Sequence, residues 1–208
     1  MKTLALGESI KLAQKYGIRF VKTAHARTES EAEKACRHIG FPVVMKVISS
    51  QITHKTDSGG VKVGIRTIEE ARETFVKLRK LKGFEGVAVQ QMAQGTEIII
   101  GGIRDVQFGP AVLFGFGGIY AEVFKDYCLR LCPIERKTAL EMVKSVKAYP
   151  ILAGARGTEG ANIGKIVKAI MDVSKLMMKE GNVLELDINP LMASKKELIA
   201  VDARVVTN

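Results

Sequence analysis

In "VLELDINPLMASKKELIAVDAR", residues 183–204, oxygen-bearing side chains recur every second position. A strand sends successive side chains to opposite faces, so Glu185, Asp187 and Asn189 share one face while Leu184, Leu186 and Ile188 face a core. A turn centred between Lys195 and Lys196 sets Asn189 opposite Asp202 on the returning strand. Hard oxygen donors so arranged suit magnesium, which keeps several waters and shares phosphate ligands. A solvated edge hairpin would account for the charges, but not for acids spaced by two or for Asp202 within an apolar strand. On geometry alone the candidate metal site is the row Glu185, Asp187 and Asn189 with Asp202 across from it.

Three other stretches carry groups suited to a nucleotide. Lys46 interrupts the apolar run "FPVVMKVIS", where an ammonium is costly unless it meets an anion; a stem snorkelling at a sheet edge is the alternative. "VQQMAQGTEIII" places Gln90, Gln91 and Met92 at a strand end, where backbone groups could read an adenine edge and Glu97 could hold a ribose hydroxyl. A plain strand–turn–strand explains the same letters. "FGFGGIYAEV" supplies Gly115, Gly117 and Gly118, which could let backbone amides approach an anion, although hairpins also use glycine. The loop "SSQITHKTDSGGV" sets His54, Lys55 and Asp57 beside Gly59 and Gly60.

The elements that must position these groups are readable from periodicity and caps. Helices are expected over "GESIKLAQKYGI", "TESEAEKACRHIG" and "TIEEARETFVKLRKLKG", the last with early acids and late lysines that complement its dipole. Strands are expected at "IRFVKTAHA", "FPVVMKVIS" and "GGVKVGI". Four strands then follow with only turns between them: "GVAVQQM", "TEIIIGGIR", "GPAVLFGFG" and "YAEVFKD". Helices "ERKTALEMVKSV" and "NIGKIVKAIMDVSKLMMKEG" and a closing hairpin complete the chain. This order implies an α+β fold with a mostly antiparallel sheet in the larger of two lobes, residues 1–88 and 89–208.

Composition narrows the function classes. A chain of 208 residues with 47% hydrophobic content can bury a core. The net charge of +10 suits polyphosphate ligands or an acidic partner. No Trp and only four Tyr leave no aromatic platform for nucleic acid. Cys36, Cys128 and Cys132 form neither a disulfide ladder nor a zinc pattern and read as small buried thiols. No stretch approaches a membrane span and "MKTLALGES" is not a signal peptide, so the expected location is cytoplasmic.

In sequence order, FPVVMK, HKTDSGGV, QGTEIIIG, FGFGGIYAEV and ELDINPL…VDAR resemble the ATP-grasp domain of the nucleoside-diphosphate-forming acyl-CoA synthetases. The likeness is nearest to the β subunit of ADP-forming acetate–CoA ligase, with the succinyl-CoA synthetase β subunit more distant. It implies an ATP-grasp fold with the nucleotide cleft between two lobes, ATP/ADP and Mg2+ as cofactors, and Lys46 on the nucleotide phosphates. It also implies Glu97 as a nucleotide contact, Asn189 and Asp202 on magnesium with Glu185 as their neighbour, and His54 as a phosphoryl relay. Imidazole suits that role, being nucleophilic and substantially unprotonated near neutral pH. A separate α subunit with the CoA-binding and acid-activating domains follows, hence a hetero-oligomer. Glu122 and Arg156 match family positions without an assigned role; His25 and His38 read as structural. A stand-alone ATP-grasp carboxylate ligase, which would not need His54, and a basic non-catalytic binding module are the other readings.

Overall fold

A computed structural model describes residues 1–49, 51–52, 58–117, 126–155 and 159–208. The chain forms two compact units, one of Val21–Met92 and one joining Met1–Phe20 to Ala93–Asn208. The first helix therefore belongs with the larger unit, whereas the sequence-based division at residue 88 groups it with the smaller.

The smaller unit holds a four-stranded antiparallel sheet of β2 (Thr23–Ala26), β3 (Val43–Ser49), β4 (Val61–Ile65) and β5 (Phe84–Gln91), in the order β2-β5-β3-β4. Two helices cover one face. In α2 (Glu29–Ile39) the Thr28 hydroxyl accepts the Glu31 N–H while the Glu31 carboxylate accepts the Thr28 N–H, a reciprocal cap. In α3 (Ile68–Arg79) Thr67 accepts the Glu70 N–H. Alternate β3 residues Val43, Met45 and Val47 are fully buried, in one cluster with Phe75 and Leu78 of α3 and Ala32, Ala35 and Cys36 of α2. Outside that core, Arg72 of α3 forks onto the Glu33 carboxylate of α2 at 2.7 and 3.2 Å.

The larger unit is built on a second antiparallel sheet. Its strands are β1 (Lys2–Thr3), β6 (Thr96–Asp105), β7 (Gly109–Phe116), β8 (Tyr127–Leu131), β9 (Val183–Ala193), β10 (Leu198–Ala200) and β11 (Arg204–Thr207). They run β1-β11-β9-β6-β7-β8, with β10 also paired to β9. Helices α1 (Leu6–Lys15), α4 (Arg136–Ser145), α5 (Tyr149–Ala153) and α6 (Ile163–Lys179) belong to the same unit. Ile98, Ile100, Val112, Phe114 and Ile188 of the sheet share one core with Ile166, Ile170, Val173 and Met177 of α6. A Cβ on Gly102 of β6 would lie 2.6 Å from Met177 Cγ and Sδ, so the missing side chain is what lets α6 lie close.

Cys128 and Cys132 are half-buried against this core and Cys36 is buried in the other, as free thiols. Burial pushes the Cys36 and Cys132 thiols above their ordinary range. Of the expected strand "YAEVFKD", residues 120–125 lie outside the described residues. Among the described residues no helix is long and apolar enough to cross a membrane.

Candidate functional site

The closing hairpin keeps the register that its turn chemistry sets. Ala193 pairs with Leu198, Met192 with Ile199 and Leu191 with Ala200, and the Val201 N–H bonds to the Pro190 carbonyl at 2.9 Å. The same register resumes beyond, with Asp187 opposite Arg204 and Leu186 opposite Val205. Carried across the gap, that register sets Asn189 opposite Asp202. That gap is the one departure from the expected continuous strand. Pro190 has no N–H to give the ladder, so residues 201–203 leave the sheet between β10 and β11.

Along β9 the faces divide as alternation requires. Leu186 and Ile188 are buried, Leu184 is half-buried, and Glu185, Asp187 and Asn189 are exposed. Asp202 is half-buried, and its Oδ1 accepts the Ala203 N–H at 2.8 Å, which fixes one oxygen.

Asp187 reaches solvent yet is crowded by protein atoms, and its carboxyl is held above the usual range. Desolvation is the largest cause, the Arg204 guanidinium opposes it, and the neighbouring charges of Asp202 and Glu185 add to it. This acid is part of the oxygen row but is absent from the set Asn189, Asp202 and Glu185; the alternation that selects Glu185 selects it equally.

The donor set fits a hard divalent cation in kind: carboxylates and an amide oxygen on one strand face, with Asp202 across from them. No three acidic, histidine or cysteine side chains close around one point among the described residues.

Glu97 lies on β6 opposite Met192 of β9, with its side chain exposed. Its carbonyl accepts the Gly117 N–H at 2.9 Å, and a Cβ on Gly117 would come within 3.3 Å of it. The glycine-rich stretch therefore starts pinned to the backbone of Glu97. Its far end is pinned as well. Buried Asp126 accepts the Lys147 and Ala148 N–H groups, each at 2.8 Å. Residues 118–125 between these anchors, with Gly118 and Glu122, lie outside the described residues.

Lys46 sits on β3, which is flanked by β5 and β4 and so is not a sheet edge. It is half-buried, across the ladder from Ala88 and Val61, on the face away from the α2–α3 core. The Gln90 side chain is buried and donates to Thr23 Oγ1 at 3.1 Å, while the Gln91 N–H is engaged by the Lys22 carbonyl at 2.9 Å. Met92 follows the end of β5 and is half-buried. His54, Lys55 and Asp57 lie outside the described residues, as does Arg156. Where the first of these loops re-enters the described chain, Gly59 has φ +69° and the Gly60 carbonyl accepts the Val47 N–H at 2.8 Å. That left-handed turn is what glycine supplies there.

The profile of a family described as an ATP-grasp domain matches residues 1–207. The chain belongs to the ATP-grasp family. Within it, the chain is 45% identical over 207 residues to the acetate–CoA ligase [ADP-forming] I subunit beta of Pyrococcus furiosus, covering 96% of this chain and 89% of that one. Acetate–CoA ligase [ADP-forming] II of Archaeoglobus fulgidus is 40% identical over 200 residues, which are 96% of this chain but 29% of the relative. Among solved structures, the dinucleotide forming acetyl-coenzyme A synthetase 1 of Ca. Korarchaeum cryptofilum superposes with a TM-score of 0.92 at 39% identity. That complex holds coenzyme A and Ca-AMPCP, and the match covers 100% of this chain and 94% of that one. A second complex of that enzyme, with coenzyme A and Mg-AMPPCP, matches at a TM-score of 0.87 and 37% identity over 100% and 93% of the two chains. Its phosphohistidine segment is described as pointing towards the nucleotide binding site.

Proposed function

We propose that this chain is the nucleotide-handling β subunit of an ADP-forming acyl-CoA ligase, interconverting acyl-CoA, ADP and phosphate with free acid, ATP and coenzyme A. The full-length match to a β subunit of such a ligase carries the reading. The Asn189–Asp202 register, which was derived from turn position alone, supports it.

The chain's own residues divide the work. Asn189 and Asp202, with Glu185 and Asp187 beside them, would hold magnesium, which when bound neutralises phosphate charge and fixes its orientation. Lys46 would meet the phosphates with its ammonium, and Glu97 a ribose hydroxyl. Met92, just beyond the β5 ladder, would meet the base through its backbone, with Gln90 and Gln91 behind it; the Gln90 side chain is engaged with Thr23. His54 would act as the relay. Its imidazole nitrogen takes the phosphoryl group from a phosphorylated donor on the partner. A terminal phosphate oxygen of ADP then attacks phosphorus, the N–P bond breaks, and the new O–P bond makes ATP. Positioning and charge neutralisation supply most of such a reaction's acceleration.

Acyl activation and coenzyme A binding would fall to a separate α subunit. The Archaeoglobus relative, in which this chain spans 29% of the length, agrees with a need for further parts beyond this one. A cytoplasmic location belongs to the same proposal and agrees with three free thiols.

The test is label transfer. With an α subunit, acetyl-CoA and radiolabelled phosphate, label should appear on this chain and then in ATP when ADP is added. His54→Ala should abolish both while leaving Mg-AMPPCP affinity unchanged. Undiminished ATP formation by that variant would remove the relay from this chain.

A further inference from the structure

On the helix-bearing side of the larger unit, away from the oxygen row of β9, two connected cavities run along α6. The first, of about 210 Å3, has an apolar floor of Ile18, Ala169, Leu191 and Leu198 and a rim of Arg19, Lys165 and Lys168. The second, of about 420 Å3, shares Gly17, Lys168 and Asp172 with it and adds Lys15, Lys175 and Lys179. Together they fall in the size range of small-molecule sites, on the order of 300–1,000 Å3.

The charge in this groove is far from balanced. Lys165, Lys168, Lys175 and Lys179 follow one another at intervals of three, seven and four residues, which keeps them on one side of α6 over ~21 Å. The acids beside them are engaged: Asp172, which lines both cavities, by Lys168 at 2.5 Å, and Glu180 by Lys15 at 2.8 Å and the Tyr16 hydroxyl at 2.7 Å. The Lys165 ammonium is held by the Lys196 carbonyl. Arg19, Lys175 and Lys179 form no ion pair among the described residues. A share of the chain's net +10 is thus concentrated in one concave strip that ends in a greasy pocket. Self-repulsion there is relieved by an anion, and the pocket adds an apolar anchor for one end of it.

Gly17 completes the shape. It turns at φ +94°, and a Cβ on it would approach Asp172 Oδ2 to 3.1 Å. A side chain there would stand at the junction that the two cavities share.

We propose that this α1–α6 groove is a second ligand site, distinct from the hairpin site, for a phosphorylated small molecule with an apolar ring or chain. The ring lies on Ile18, Leu191 and Leu198 and the phosphates run toward Lys175 and Lys179. A flat cationic face would suit an acidic protein segment equally well; the apolar floor of Ile18, Ala169, Leu191 and Leu198 at one end selects the smaller ligand.

The experiment uses the full chain with its hairpin site saturated by Mg-AMPPCP, and adenosine 3′,5′-bisphosphate as the probe in calorimetric titration. One further molecule should bind, at least tenfold more tightly than inorganic pyrophosphate. Lys175→Glu with Lys179→Glu should weaken it tenfold or more, as should Arg19→Glu. Ala169→Leu, which fills the floor, should weaken the bisphosphate but not pyrophosphate. Neither of the two charge-reversal variants should alter Mg-AMPPCP affinity, so a failure of the nucleotide reading shows separately as absent AMPPCP binding. Bisphosphate binding that is absent, unaffected by charge reversal, or matched by pyrophosphate overturns the inference. Binding of a poly-glutamate peptide in place of the bisphosphate overturns it in favour of a protein partner.

Discussion

Arg204 on β11 stands directly across the antiparallel ladder from Asp187 on β9 and opposes the desolvation that holds the Asp187 carboxyl high. A carboxyl whose folded pKa exceeds its unfolded value binds protons more tightly in the folded state. Its contribution to stability is therefore full below the unfolded pKa and lost as pH rises through the folded one. At neutral pH Asp187 costs the metal-free chain stability. Asp187→Asn should raise the Tm at pH 7 and leave it unchanged near pH 3. Arg204→Ala should lower it at pH 7, and the double variant should behave like Asp187→Asn. The coupling, screened by solvent, should be on the order of 0.5 kcal/mol.

The facing pair across the Pro190 gap predicts a separation of binding from folding. Asn189→Ala should weaken Mg-nucleotide binding about tenfold to a hundredfold in calorimetry, with a melting curve close to that of the parent, because its side chain is exposed. Asp202→Ala should do the same and also lose the acceptor for the Ala203 N–H, at about 1 kcal/mol. Asp202→Asn keeps an acceptor oxygen and loses the charge, so it should retain stability and not affinity. Equal nucleotide affinity in all three variants would sink the hairpin as the metal site.

How much of this could be read beforehand follows from the range of each interaction. The hairpin register was legible because a single turn position fixes it, and β9, β10 and β11 keep it. Pro190, which has no donor to give the ladder, signals its interruption. The helices with Thr28 and Thr67 caps were legible for the same local reason. The pairing of Lys2 and Thr3 with Thr207 and Val206 was not, since partners 200 residues apart leave no periodic trace. That pairing ties the first residues to the larger unit. The short helix Tyr149–Ala153 carried two local signs, Pro150 in its first turn and Gly154 at φ +90° after it. The Asp126 oxygens that meet the backbone just before that helix come from 21 and 22 residues away and gave none. Lys46 was readable as an anomaly, but only the sheet order shows that β3 is interior and not an edge.

Arg104 predicts where the larger unit is held. Its Nε donates to the Val183 carbonyl at 3.0 Å, and its Nη2 donates to the carbonyls of Met177 and of Glu180, the latter at 3.2 Å. Three carbonyls at and beyond the end of α6 thus converge on one cation, which also complements the negative end of the helix dipole. Arg104→Met keeps the stem and loses the fork. It should cost about 2 kcal/mol, read as a lower denaturation midpoint with an unchanged slope. Amide exchange should accelerate first in the last turn of α6. Exchange that stays even along the helix would show that the cap is not what holds it.

Gly102 and Met177 make the most sharply localised prediction. Gly102 lies in the middle of β6, where a backbone without a side chain ordinarily weakens a strand, and its neighbours Ile98 and Ile100 on the same face are fully buried. Its φ lies outside the left-handed region, so steric room and not backbone freedom is the reason for glycine. Met177 is fully buried, and its Cγ and Sδ occupy the space that a Cβ would take. Gly102→Ala should therefore destabilise by about 1–3 kcal/mol, because the thioether must be driven into a packed core. Met177→Ala alone should cost a similar amount, about 2–5 kcal/mol, through the cavity it leaves. Combined, the two should cost clearly less than the sum, since the new methyl enters the space that the shortened side chain vacates. Additive losses in that cycle, measured by chemical denaturation, would mean that α6 and β6 are not in the close contact that positions the hairpin strand beside them.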